Sequence, residues 1–206
     1  MGCKVNKYEC DSLLKTLSKR GYDVSEELVY ADLYILNTCA VTNEAERKSR
    51  QCVSRCLKLN AKAKVVVCGC ASQNDPNQFS QKSNVTFVIG NAQKGKLADR
   101  LEESGILLEP IPREYEDDFS AESVRTRAYV KIQDGCDNYC SYCLIPYVRG
   151  RSRSRSVKSV VEECKDIQFK SKEITITGID ISSYGKNIDS DLATLIDALS
   201  DIECRI

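Results

Sequence analysis

Three cysteines stand close together in Gly135-Cys136-Asp137-Asn138-Tyr139-Cys140-Ser141-Tyr142-Cys143, spaced Cys-x3-Cys-x2-Cys in a polar loop behind an apolar run. Three thiolates at this spacing can hold three irons of a four-iron four-sulfur cluster. With no fourth cysteine close by, one iron stays open to bind something else. An open iron implies chemistry on a ligand rather than electron storage alone. A zinc knuckle or a set of buried cysteines is the competing account, although structural zinc takes four closed ligands and normally Cys-x2-4-Cys pairs.

A second set is dispersed through Gly2-Cys3-Lys4-Val5-Asn6, Asn37-Thr38-Cys39 and Gly69-Cys70-Ala71-Ser72-Gln73. Successive members lie about one βαβ unit, roughly 30 residues, apart. Cysteines at successive strand ends can converge on the carboxyl edge of a parallel sheet, where ligands collect. The spacing is shared by cysteines that merely fill strand ends as small buried side chains. Behind the triplet, Tyr147 to Ser156 carries Arg149, Arg151, Arg153 and Arg155 without an acid. Phosphate binding is the natural reading of such a strip. Arg47, Lys48, Arg50 and Arg55 give a further basic helix beside Cys39, which reads equally as a phosphate contact or as a solvated face.

The elements that must carry these residues follow from periodicity. Asn6 to Arg20 has a helical period through Cys10, Leu13, Leu14 and Leu17, stopped by Gly21. Leu33 to Leu36, Lys64 to Cys68 and Val85 to Ile89 read as strands. Helices are expected over Asn43 to Leu59 and Lys96 to Ser104. Alternation of this kind implies a parallel α/β sheet. Glu114-Tyr115-Glu116-Asp117-Asp118, beside Pro110 and Pro112, reads as linker. The expected division is 1–112, a linker over 113–122, and a second unit over 123–206. That unit reads as strand Ala128 to Ile132, the cysteine loop, helix Ser156 to Phe169, strand Glu173 to Thr177 and helix Asp191 to Leu199, with the opening of another strand at Glu203 to Ile206. Two βα units are too few to close a barrel.

Composition narrows the chemistry further. The 206 residues hold 30 Lys+Arg, 30 Asp+Glu, 12 cysteines and no histidine. A neutral balance excludes a globally basic nucleic-acid binder, and the lack of histidine excludes Ser-His-Asp triads and mixed Cys/His zinc sites within this chain. No apolar run approaches the roughly 18 residues of a membrane span, and no signal-peptide core follows Met1, so a cytoplasmic protein is expected.

The Cys136/Cys140/Cys143 triplet resembles the signature of the radical S-adenosylmethionine (SAM) enzymes. In that superfamily the open iron chelates SAM, and an electron from the reduced cluster releases a 5′-deoxyadenosyl radical. A Gly-Cys-x-x-Asn, Asn-Thr-Cys, Gly-Cys domain ahead of that triplet is similar to the methylthiotransferases, and the likeness covers essentially the whole chain. It implies a parallel α/β methylthiotransferase domain followed by a partial radical SAM (β/α) barrel. It also implies two four-iron four-sulfur clusters, with Cys3, Cys39 and Cys70 as ligands of the first and Cys136, Cys140 and Cys143 of the second. Tyr142 and Gly178 fall where the family contacts SAM. Arg149 and Arg151, in an Arg-Gly-Arg-x-Arg-Ser-Arg segment that the family shares, are assigned to the substrate side, with fixing the barrel or binding the SAM carboxylate as the alternative roles for arginines of this segment. Cys10, Cys52, Cys56, Cys68, Cys164 and Cys204 match no ligand position.

Val41-Thr42-Asn43-Glu44-Ala45-Glu46-Arg47-Lys48-Ser49-Arg50-Gln51 resembles the branch that methylthiolates C2 of N6-threonylcarbamoyladenosine at tRNA position 37. The resemblance implies tRNA as partner, together with an electron donor such as a flavodoxin or ferredoxin. The branches acting on isopentenyladenosine tRNA or on a ribosomal protein are the alternatives within the family, and a zinc-stabilised RNA-binding module is the alternative outside it. Family members place a strand before Gly-Cys-x-x-Asn and continue well beyond the second unit. The chain therefore reads as an N-terminal fragment, inactive by itself if the missing parts are needed.

Overall fold

A strand that is apolar on both faces has to be covered on both, and Val65, Val66, Val67 and Cys68 are all fully buried. The computed structural model, which describes residues 2–117, 120 and 126–206, shows how this is done. Helix α1 (Lys4–Lys19), strand β1 (Leu33–Thr38), helix α2 (Asn43–Leu59), strand β2 (Lys64–Gly69), the short helices α3 (Cys70–Asn74) and α4 (Asn77–Ser80), and strands β3 (Val85–Ile89) and β4 (Gly105–Leu107) form the N-terminal unit. Its four strands pair in parallel in the order β1-β2-β3-β4. Alternation along β2 sends Val65 and Val67 to one side, against Val53 and Cys56 of α2 and Phe79 of α4. Val66 and Cys68 go to the other side, where Leu17 of α1 and Leu97, Ala98 and Leu101 cover them.

The second unit holds β5 (Arg127–Lys131), β6 (Gln133–Asp134), α5 (Ile145–Arg149), β7 (Arg153–Ser154), α6 (Val157–Ile167), β8 (Glu173–Thr177) and α7 (Leu192–Ala198). Strands β5 and β8 pair in parallel, and β6 and β7 form a small antiparallel ladder. Ala128, Val130 and Ile174 pack against Val160, Cys164 and Ile167 of α6 and Leu195 of α7. The expected helix starts are real caps: the side chains of Thr42, Ser156 and Asp191 each accept an N–H of the first turn. The chain's last residues run beside β8, with Arg205 bridged in parallel to Glu173, where another strand is expected.

Two expectations are corrected. Lys96 to Ser104 does not form an α-helix; Lys94–Asp99 is a 3-10 turn instead. It includes Gly95 and is too short to repay helix nucleation. The face of α1 that is buried is not chiefly the apolar stripe, since Asn6, Glu9, Asp11 and Ser12 are buried with Val5, Tyr8 and Leu17. That face meets polar partners from both units, described below. The expected linker falls partly outside the described residues. Within its described part, Asp117 Oδ1 lies 2.8 Å from Arg155 Nε as an ion pair, and the Ser120 N–H donates to Ser12 Oγ at 3.0 Å.

Candidate metal centres

Strands β1 and β2 run in register, with Thr38 beside Gly69, so the residues that follow them, Cys39 and Cys70, leave the sheet at the same edge. Cys3 reaches that edge from α1, whose first turn it caps by accepting the Asn6 N–H at 3.4 Å. Asn6 Nδ2 then donates to the carbonyls of Asn37 and Thr38 at 3.0 and 3.4 Å. The asparagine of Gly-Cys-x-x-Asn is thus a clamp between the start of α1 and the end of β1. Burial pushes the Cys39 thiol up, and neighbouring Cys70 and Cys3 push it the same way, which places the three sulfurs in one neighbourhood. Gly69 has φ +103, and a Cβ there would collide with Thr38 O. Only glycine lets the two strand ends approach so closely.

The second triad occupies the loop between β6 and α5. Cys136 is buried, Cys143 half-buried and Cys140 exposed. The Cys136 N–H donates to Gly150 O at 3.1 Å and the Cys143 N–H to Cys140 O at 2.9 Å, which shapes the loop into turns. Fully buried Gln133 anchors its base. Gln133 Nε2 donates to Gly135 O at 2.7 Å and Ser152 Oγ at 2.9 Å, while Oε1 accepts the Ile179 and Asp180 N–H groups at 2.9 and 2.8 Å. One side chain therefore ties the cysteine loop to the turn that follows β8. Gly178 lies against Gln133, and a Cβ there would press on Oε1 at 3.0 Å. Hydrogen bonds from Ser182 and Ser183 hold the Asp180 carboxyl below its usual range, and Asp180 Oδ2 also accepts from Asn138 Nδ2 at 3.1 Å inside the loop.

Among the described residues, no group of three or more cysteine or carboxylate side chains is arranged around a single metal ion. A four-iron cluster asks for something different, because each thiolate binds its own iron at a separate corner. An all-sulfur donor set at one edge, three residues each, fits that requirement.

Between the two triads lies a buried charge network. Arg149, at the end of α5, is only 1% exposed. Its Nη1 donates to Glu9 Oε1 and Asp134 Oδ1, both at 3.0 Å, its Nη2 to Glu9 Oε2 at 3.2 Å, and its Nε to Cys70 Sγ at 3.2 Å. Lys94 Nζ reaches Glu9 Oε2 at 2.6 Å, Lys131 Nζ bridges Glu9 and Asp134 at 3.5 and 3.2 Å, and Arg153 Nη2 stands 3.6 Å from Asp134. Burial alone would push the Arg149 guanidinium down, but Cys70, Glu9 and Asp134 hold it well above its ordinary value. Burial alone would likewise raise Glu9 and Asp134; Arg149 foremost, with Lys94 and Lys131, keeps both carboxyls below the usual carboxylate range.

The remaining residues singled out from sequence fall as follows. Arg149 does not reach the surface, whereas Arg151 is 72% exposed with Asp137 at 3.7 Å. Tyr142 is 90% exposed beside Cys143. On α2, Arg47 and Lys48 pair with Glu44, and Arg50 stands 3.7 Å from Glu46, so much of that basic face is internally neutralised. Cys56, Cys68 and Cys164 are core residues, and burial raises Cys68 and Cys164 to about 12. Sequence reasoning missed Glu9, Asn91, Lys94, Lys131, Gln133 and Asp134. The last two directly precede the first Gly-Cys of the triplet, which was a usable signal; the others become neighbours only through the fold.

The chain is an α/β protein that brings two separate cysteine triads to strand ends, one in each unit. Residues 1–90 match the family described as "Uncharacterized protein family UPF0004" and residues 130–206 match the Radical SAM superfamily. The threonylcarbamoyladenosine tRNA methylthiotransferase MtaB of Bacillus subtilis is 34% identical over 100% of this chain and 48% of its own length. The MtaB of Thermotoga maritima is 36% identical over 98% and 48%. The tRNA-2-methylthio-N(6)-dimethylallyladenosine synthase of Staphylococcus saprophyticus is 31% identical over 98% and 42%. The chain belongs to the radical SAM methylthiotransferase family, and it spans about half the length of these relatives. Its fold is also that of the radical SAM methyltransferase TsrM from Kitasatospora setae, with TM-score 0.57 and 15% identity over 93% of this chain and 47% of that one. Among the described residues, no helix is long and apolar enough to cross a membrane.

Proposed function

We propose that this chain is the N-terminal portion, with domains over 1–112 and 123–206, of a tRNA methylthiotransferase that acts on C2 of N6-threonylcarbamoyladenosine at position 37. The observation that carries the reading is the pair of triads at strand ends, held in a chain similar over nearly its whole length to proteins named for that reaction. Cys3, Cys39 and Cys70 would hold one four-iron cluster, and Cys136, Cys140 and Cys143 the other. When bound, these groups and SAM supply the radical that activates the substrate carbon and the sulfur that is inserted and methylated, with electrons from a flavodoxin or ferredoxin.

The protein's own residues have narrower tasks in this reading. The exposed ring of Tyr142 would lie on the adenine side of bound SAM. Gly178, without a side chain, leaves backbone open to SAM while Gln133 fixes the adjoining turn. Exposed Arg151 meets tRNA phosphate. Arg149 is buried and turned onto Cys70, Glu9 and Asp134, so its role lies inside the protein. The setting is the cytoplasm. The dimethylallyladenosine branch is the second reading, favoured by the Staphylococcus relative at 31% identity.

The test is anaerobic metal and sulfide analysis after reconstitution, in wild type and in the Cys136→Ala/Cys140→Ala/Cys143→Ala variant. About eight irons falling to about four supports two cluster sites. Stoichiometric zinc without sulfide would replace the enzyme with the binding-module reading. Nucleoside analysis of tRNA from cells carrying the whole protein then separates the two substrates.

A further inference from the structure

The Arg149 side chain carries a demand that its carboxylate partners do not meet. Glu9 and Asp134 take both Nη groups, yet Nε is turned away from them and onto Cys70 Sγ at 3.2 Å. A second donor approaches the same sulfur: Asn91 Nδ2 lies 3.7 Å from Cys70 Sγ while also donating to Val148 O at 2.6 Å. Two N–H groups, one of them from a guanidinium, thus converge on one sulfur.

Arg149 belongs to the second unit and follows the second triad by a single short helix, while Cys70 belongs to the first triad. We propose that Arg149 is a positioning residue for the first cluster: its Nε–H donates to the Cys70 thiolate across the junction of the two units, so the electronic state of the N-terminal site depends on the docked C-terminal unit. The inference rests on the proposed assignment of Cys3, Cys39 and Cys70 as iron ligands. A charged donor to a ligand sulfur withdraws electron density and favours the reduced cluster. Removing it moves the midpoint potential to more negative values. Asp134, in the strand before the second triad, fixes the guanidinium from its other side, so the geometry of the second loop's base is built into the donor.

The experiment isolates the first site. In the Cys136→Ala/Cys140→Ala/Cys143→Ala background the chain is reconstituted anaerobically, and its midpoint potential and reduced-state EPR spectrum are measured for the parent and for Arg149→Met, Arg149→Lys and Lys131→Met. Arg149→Met is the full deletion. Arg149→Lys keeps the charge beside Glu9 and Asp134 but lacks the fork that reaches Cys70 as well, and it decides the matter should the methionine variant not fold. Lys131→Met removes a cation from the same carboxylates without touching Cys70. The expected result is iron retained in all four proteins, with a negative shift and altered g-values in both Arg149 variants and a smaller change in Lys131→Met. Equal midpoints in the parent and a folded, iron-loaded Arg149 variant overturn the inference, as does a shift in Lys131→Met as large as that in Arg149→Lys. A parent that binds no iron fails in a different way, because it removes the cluster assignment itself.

Discussion

Replacing Glu9 with glutamine keeps its volume and removes its charge from the centre of the buried network. Lys94, 3% exposed, then has no carboxylate among the described residues and keeps only Asn91 Oδ1 at 2.9 Å. Arg149 keeps Asp134, but of the two carboxylate oxygens it meets at position 9 only one remains an acceptor, and that one is uncharged. Breaking a buried pair by removing one partner costs about 3–5 kcal/mol, because the orphaned charge stays out of water. An exposed pair such as Arg47–Glu44 contributes little, because water screens both charges. With a urea m-value of about 2–3 kcal/mol/M, the expected loss lowers the denaturation midpoint of Glu9→Gln by roughly 1–2 M, and that of Glu44→Gln by a few tenths at most. Urea titration followed by circular dichroism reads both. Glu9→Gln/Lys94→Met should lose less than the two single changes added together, since neither removal then leaves the other charge stranded. A midpoint shift in Glu9→Gln no larger than in Glu44→Gln would refute the claim that the network is a desolvated electrostatic core.

Three further outcomes are expected. Gly135 has φ +72, and a Cβ there would strike the Arg151 carbonyl, so Gly135→Ala should lose the iron of the second site while that of the first remains, read as iron per chain in each triad background. Because Glu9 and Asp134 are held below the usual carboxylate range, their contribution is complete above the unfolded carboxyl pKa of about 4 and is lost as pH falls below it toward their folded values. Urea midpoints measured downward from pH 6 should therefore decline less steeply in Glu9→Gln than in wild type. Arg151→Gln should weaken tRNA binding by the whole protein and lower the slope of log affinity against log salt by about one, with no change in iron content.

The sheet was legible because its strands are short apolar runs bounded by Gly, Asn or Asp, and β8 falls where periodicity placed it. Caps at Thr42, Ser156 and Asp191 made helix starts equally readable. What failed were segments decided by context. Gly105–Leu107 is three residues long and two of the three face solvent, so neither length nor alternation marks it as a strand. Lys94–Asp99 has helical composition but is stopped before a second turn. At the sites, cysteines announce themselves by spacing, whereas Glu9 sits in a helix where a lone acid is normally a solvated residue. Its meaning comes from residues more than eighty positions away, which no local pattern encodes. For the same reason the burial of Arg149 cannot be read from the arginine strip in which it stands.

The junction between the units follows from the same physics. An apolar junction would hold the two units together whatever the state of Cys70, because hydrophobic contact is indifferent to charge. Here α1 presents Glu9 and Tyr8 to the second unit, and Tyr8 Oη donates to Glu163, itself paired with Arg155. Charged contacts of this kind carry a large desolvation cost and are favourable only when each partner is present and aligned. If Cys3, Cys39 and Cys70 hold iron as proposed, Cys70 is a thiolate facing Arg149 of the second unit, so metal binding at the first triad and docking of the two units are linked equilibria and each strengthens the other.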